Sequence, residues 1–167
     1  MSLLPQTDLP QITLMNADNF DPSESAPIRA ISGQTPSGKL LHEDLTRSII
    51  GCAMTVLNTL KPGLDEKLYE NALVLELRAH GHQVQQQLAF PVFYRGQEIG
   101  KGFPDLIVDG KVIVDPKVAE SFTDTHTAQM IGYLNLSSLD LALLLNFKHA
   151  KLTWKRVVNE ENNRRSF

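Results

Sequence analysis

Two aspartates and a lysine flank the dipeptide Asp109-Gly110. Asp105 lies on one side, in Pro104-Asp105, and Asp115 and Lys117 on the other, in Asp115-Pro116-Lys117. Asp-Gly between the apolar runs 103–108 and 111–114 is a strong β-hairpin signal, so these side chains belong to adjacent strands. Whether they cooperate is a question of parity. A two-residue loop at 109 and 110 pairs Val108 with Lys111, sets Asp105 opposite Val114 and sends Asp115 to the other face. A three-residue loop over 108–110, with Gly110 in the left-handed bulge position, pairs Ile107 with Lys111 and sets Asp105 opposite Ile113. Asp115 and Lys117 then share the face of Asp105, and this is the register we expect. Diagonal neighbours roughly 7–8 Å apart can be bridged by one divalent cation. Mg²⁺ takes a few carboxylate oxygens plus water, leaving positions for a phosphate oxygen and a nucleophilic water. A neighbouring ammonium offsets developing charge or orients that water. Taken alone the spacing is a weak pattern, and a surface hairpin with a cross-strand salt bridge is the simpler reading.

The elements that must position these groups are legible around them. Leu45, Ile49, Cys52, Val56 and Leu60 recur at helical spacing and are stopped by Lys61-Pro62-Gly63. Leu68, Ala72, Leu75 and Ala79 predict a second helix, with Gly81 as its left-handed stop. Residues 84–94 read as a strand with a turn at Arg95-Gly96, and another strand begins near Glu98. A helix is expected over 125–136, entered through Thr123, Asp124 and Thr125 as cap candidates. Residues 139–147 are almost wholly apolar, as in a strand buried on both faces, and 152–158 alternate as a final strand. The expected architecture is α/β (α+β), a mixed central sheet flanked by helices in the order ααβββαββ. Residues 1–38 hold five of the nine prolines and no apolar period, and read as a disordered or extended arm. The domain is expected over 39–160, with a flexible tail over 161–167.

The segment Gly63-Leu-Asp-Glu66-Lys-Leu-Tyr69 fits the motif for which the GxxExxY family is named. So do LVLELRAHG (73–81), the hairpin FPDLIVDGKVIVDPKV, His126-x-x-Gln129-x-x-x-Tyr133, LALLLNF (141–147) and LTWKRVVN (152–159). Over about residues 42–159, in this order, the chain resembles that family, a small member of the PD-(D/E)XK nuclease superfamily. The resemblance implies a restriction-endonuclease-like core and metal-dependent DNA hydrolysis with Mg²⁺ or Mn²⁺. It makes Glu66 the acid of the early helix, and Asp105 and Asp115 the hairpin acids, with Lys117 the catalytic lysine and the Pro116 carbonyl a metal ligand. Gln129 and Tyr133 resemble a Q-x-x-x-Y helix motif that binds substrate, and His126 falls on the same helix face. Each has a plainer role open to it: Glu66 favouring a helix start, Tyr69 a core aromatic with its hydroxyl satisfied, and His126 a cap. Cys52 and Trp154 read as packing residues.

One departure bears on activity. Asp115-Pro116-Lys117 puts proline where an apolar, strand-compatible residue is usual, removing an N–H from an interior strand. The shorter Asp also withdraws its carboxylate by about one methylene. The alternative is therefore a catalytically inactive nuclease-fold module that binds a protein or nucleic-acid partner, or a structural subunit docked through the arm.

Composition narrows the field without choosing. The net charge of -3 arises in residues 1–38, where Arg29 faces Asp8, Asp18, Asp21 and Glu24; without them the totals of 16 bases and 19 acids balance. Bulk electrostatics therefore announce no nucleic-acid partner, and a DNA partner must rest on local residues. Lys148, Lys151, Lys155, Arg156, Arg164 and Arg165 form a basic C-terminal stretch that reads as solvated. No apolar run approaches the roughly 20 residues of a membrane span, and the N-terminus lacks the pattern of a secretory signal. The lone Cys52 forms no internal disulfide and joins no zinc-spaced cluster, so a reducing cytoplasm is expected. No heptad or apolar patch announces an oligomeric state.

Overall fold

The first apolar stripe folds as α1 (Glu43–Leu60) in a computed structural model that describes residues 15–16 and 40–159. Ile49, Cys52 and Val56 are buried from it, whereas Leu60, at the Lys61-Pro62-Gly63 stop, is partly exposed. The second helix, α2 (Glu66–Ala79), packs on the first with a different face from the one expected. Tyr69, Leu73, Val74 and Leu77 are buried, while Leu68 and Leu75 lie in solvent. Two overlapping stripes run along this helix about 100° apart, and the neighbours it meets select between them.

A six-stranded sheet lies beneath both helices in the order β1-β8-β7-β6-β5-β2. Its members are β1 (Met15–Asn16), β2 (Val84–Gln86), β5 (Leu106–Val108), β6 (Val112–Lys117), β7 (Leu141–Asn146) and β8 (Thr153–Val158). The strand expected over 84–94 is broken at Gln87, whose left-handed φ of 54° turns the chain out of the sheet. Residues beyond the break form a separate hairpin, β3 (Phe90–Tyr94) with β4 (Gln97–Gly102), closed at Arg95-Gly96. Five strands thus stand between α2 and α3 where ααβββαββ has three. The mixed sheet flanked by helices is otherwise as expected. β6 and β7 are parallel and joined by α3 (Asp124–Ser137), and the remaining pairings are antiparallel.

Strand alternation divides the core into two layers. Leu106, Val108, Val112, Val114, Leu143 and Leu145 face α1 and α2, and Ile107, Ile113, Ala142 and Leu144 face α3. Every residue of β7 is buried, as an interior parallel strand requires. Cys52 and Trp154 pack in the first layer. Two bases of the C-terminal stretch are not solvated: Lys155 donates to Thr127 Oγ1 at 2.8 Å, and Arg156 to Thr46 Oγ1 at 2.6 Å and to the Leu41 carbonyl. Alternation along β8 sends one toward α3 and the other toward α1. Met15–Asn16 aside, the arm expected over 1–38 lies outside the described residues, as does the tail expected over 161–167.

Candidate active site

The β5–β6 hairpin turns over Asp109, Gly110 and Lys111, one residue later than expected. Ile107 pairs with Ile113 and Val108 with Val112. Asp109 and Gly110 are both left-handed (φ 53° and 64°), and the Lys111 amide closes the turn on the Val108 carbonyl at 3.0 Å. A type I′ turn needs that conformation at both central positions, which Asp-Gly supplies. Relative to the expected register the pairing moves by two residues, so the faces are kept and the partners change. Extended by one step, the ladder sets Asp105 directly opposite Asp115 rather than diagonal to it.

Asp115 is almost wholly enclosed, its side chain 3% exposed. Its Oδ1 accepts a hydrogen bond from Lys117 Nζ at 2.9 Å. Oδ2 is equally near that nitrogen but lies outside hydrogen-bonding geometry, and no other donor reaches it. Burial, and then hydrogen bonding with Asp105, push the Asp115 carboxyl up to about 8 against the opposing pull of Lys117. Burial works against the Lys117 ammonium, yet the charges of Asp115, Glu66 and Asp105 raise its pKa above the ordinary lysine range.

Each of these groups is held from behind. Gln87, at the break between β2 and β3, donates from its amide nitrogen to the Asp105 carbonyl and from Nε2 to Asp105 Oδ1, both at 2.9 Å. The run of glutamines from 85 to 87 carries no signal for this role in sequence. Glu66 opens α2 and reaches across to the end of β6, where Oε2 accepts the Val118 amide at 3.0 Å and Oε1 lies 3.9 Å from Lys117 Nζ. Its helix start is anchored by Tyr69, whose hydroxyl donates to the Lys61 carbonyl at 2.6 Å and accepts the Leu64 amide at 3.2 Å. The Tyr69 ring stacks on Phe147 at 4.8 Å. Gly63, at φ 112°, makes the turn between them with a conformation that a side chain would strain. Glu70, on the same helix, turns away to Lys67 and Gln86.

Pro116 sits where its missing N–H costs nothing. Lys117 gives its carbonyl to the Phe147 amide on the β7 side at 2.8 Å, so alternation turns the Pro116 backbone toward the other edge. On that edge the β5 ladder ends at Leu106 and Val114. The Pro116 carbonyl is therefore turned to the edge of β6 beyond the end of the β5 ladder.

The three α3 residues are not joined to this cluster by any hydrogen bond among the described residues. His126 serves the helix cap: its Nδ1 accepts the Thr123 amide at 3.2 Å while its own amide donates to Thr123 Oγ1 at 3.3 Å. Gln129 Nε2 approaches the Tyr133 hydroxyl at 3.5 Å, and the Tyr133 ring packs against Gly102. Both lie on α3, which covers the same sheet face as Asp115.

The donor set fits a hard divalent cation. It offers two carboxylates, one with an unpartnered buried oxygen, and a free-edge carbonyl, and such ions complete their shells with water. Among the described residues no three His, Cys, Asp or Glu side chains stand already grouped as ligands.

Searches of curated proteins and of solved structures return no match to this chain. A family model described as the PD-(D/E)XK nuclease superfamily matches residues 43–157, from the first residue of α1 to the penultimate residue of β8. With the hairpin acids, the following lysine and the glutamate of α2 gathered at one end of the sheet, the chain belongs to the PD-(D/E)XK nuclease superfamily.

Proposed function

We propose that this protein is a metal-dependent nuclease that hydrolyses phosphodiester bonds of DNA. The observation that carries the reading is the buried, unpartnered Oδ2 of Asp115, beside the Lys117 ammonium on the residue opposite Asp105 in the hairpin. Asp105, Asp115 and the Pro116 carbonyl would hold Mg²⁺ or Mn²⁺, with Glu66 completing the shell directly or through water. When bound, the ion supplies Lewis acidity toward a phosphate oxygen and lowers the pKa of a coordinated water.

The chain's own residues do the rest. Lys117, kept charged by Asp115, orients the attacking water and offsets negative charge as it grows on the phosphate. Gln87 fixes the orientation of Asp105, and Glu66 ties α2 to the end of β6 so that Lys117 is approached from two sides. Gln129 and Tyr133 orient the phosphate or Lys117, and His126 borders the substrate path from the helix cap. Gly63, Glu66 and Tyr69 each hold a distinct place in this support, which favours the narrower GxxExxY membership. The parallel ladder with β7 runs through Pro116 unbroken, which supports retained catalysis by the Asp-Pro-Lys sequence.

Cleavage of single- and double-stranded DNA with Mn²⁺ or Mg²⁺ tests the proposal. Asp105→Ala, Asp115→Asn and Lys117→Ala should each lose at least about a hundredfold in rate, as removal of a charge-stabilising group does. Activity in these variants equal to that of the parent sinks the assignment. An inert parent that keeps its fold points instead to the non-catalytic module.

A further inference from the structure

Three side chains from three separate elements meet at the far end of the β5–β6 hairpin. Ser48 belongs to α1, His82 follows α2, and Asp109 opens the hairpin turn. His82 Nδ1 lies 2.8 Å from Asp109 Oδ2, and His82 Nε2 lies 2.7 Å from Ser48 Oγ. The other Asp109 oxygen accepts the Gln83 amide at 2.8 Å, and the Asp109 amide donates to the Gln83 carbonyl at 2.8 Å. Asp109 lies four residues beyond Asp105 at the turn end of the same hairpin, about 13 Å at roughly 3.3 Å per residue, so this cluster is separate from the proposed metal site.

The network has a direction. Burial disfavours the Asp109 carboxylate, but the hydrogen bonds from His82 and the Gln83 amide, with the charges of His82 and Lys111, hold its pKa below the ordinary range. An ionised carboxylate only accepts, so the neutral form of His82 carries its proton on Nδ1 and turns Nε2 to Ser48 as a base. The three groups remain within reach of solvent: the His82 side chain is 16% exposed, that of Asp109 30%, and Ser48 is half-buried.

We propose that Ser48 is a nucleophile, activated by His82 and Asp109, that takes acyl groups from small activated esters. Ser48 Oγ attacks the carbonyl carbon as its proton passes to His82 Nε2. The bond from that carbon to the leaving oxygen breaks, the electron pair departs with the oxygen, and the leaving group takes the proton from His82. The products are an O-acyl serine and a free phenol or alcohol. Ser48 lies within α1, where backbone N–H groups are spent on the helix, so no backbone oxyanion hole assists. General-base help of about 10²–10⁴-fold is what remains, which suits good leaving groups and not amides. No metal enters, so the proposal stands or falls independently of nuclease activity.

The 167-residue chain, in EDTA, is to be incubated with p-nitrophenyl acetate and followed by nitrophenol release, intact mass and peptide mapping. The expected result is a single acetyl group on Ser48, absent in Ser48→Ala. The rate of acetylation should fall about a hundredfold in His82→Ala and recover on adding imidazole, which a merely structural histidine does not explain. Asp109→Asn, which tolerates the left-handed turn, should also slow acetylation while keeping the fold. A parent protein without acetyl-Ser48, or unchanged rates in both His82→Ala and Asp109→Asn, overturns the assignment.

Discussion

Asp115 carries a carboxyl into a position where Asp105 and Lys117 are its polar neighbours, and its pKa rises to about 8 from the usual 3.8. The folded chain therefore binds this proton more tightly than the unfolded chain. The associated stability is present in full below about pH 4 and drains away as pH climbs toward 8. In metal-free buffer, melting temperature should fall between pH 6 and pH 8.5, and Asp115→Asn should flatten that slope. Equal slopes in parent and variant would show that the carboxyl is not the titrating group. The types of these residues were legible in sequence, because Asp, Asp and Lys about an Asp-Gly turn have few other uses in common. Their burial was not, since it depends on the break at Gln87 and on α3 closing over the same sheet face. Gln87 itself carries no signal in its spacing, and its contact with Asp105 exists only because the chain leaves the sheet there.

At the scale of elements, α2 shows where pattern reading fails. Leu68, Ala72, Leu75 and Ala79 form a valid stripe, but so do Tyr69, Leu73 and Leu77, and only the second faces β6 and α1. Leu73→Ala should therefore cost about 2–5 kcal/mol in chemical denaturation, and Leu75→Ala less than about 0.5 kcal/mol. The reverse ranking would mean that the helix is rotated. In the β5–β6 hairpin the parity of the pairing was legible because the side-chain period is two. The loop boundary was not, because residue types around Asp109-Gly110 suit a three-residue loop beginning at 108 or at 109. The left-handed Asp109 decides it, and His82 and Gln83 hold that residue in place.

Across the whole molecule, the proposed cation joins β5 to β6 and lies close to the start of α2. Binding to the folded chain alone stabilises it by mass action, about 2.7 kcal/mol at a free ion concentration a hundred times the dissociation constant. Mn²⁺ should raise the melting temperature of the parent and leave Asp115→Asn unmoved, and EDTA should reverse the gain. An identical rise in both would place the ion elsewhere. The helices, the hairpin about Asp109-Gly110 and the parity that puts Asp105 and Asp115 on one face are local properties, set by residue type and period, and the amino-acid order by itself determined them. The face α2 presents, the burial of Lys155 and Arg156, the bracing of Asp105 by Gln87 and the meeting of Ser48 with His82 and Asp109 were decided only by tertiary structure. Each of these is a contact between residues far apart in the chain, and no local period encodes which distant surfaces come to lie against one another.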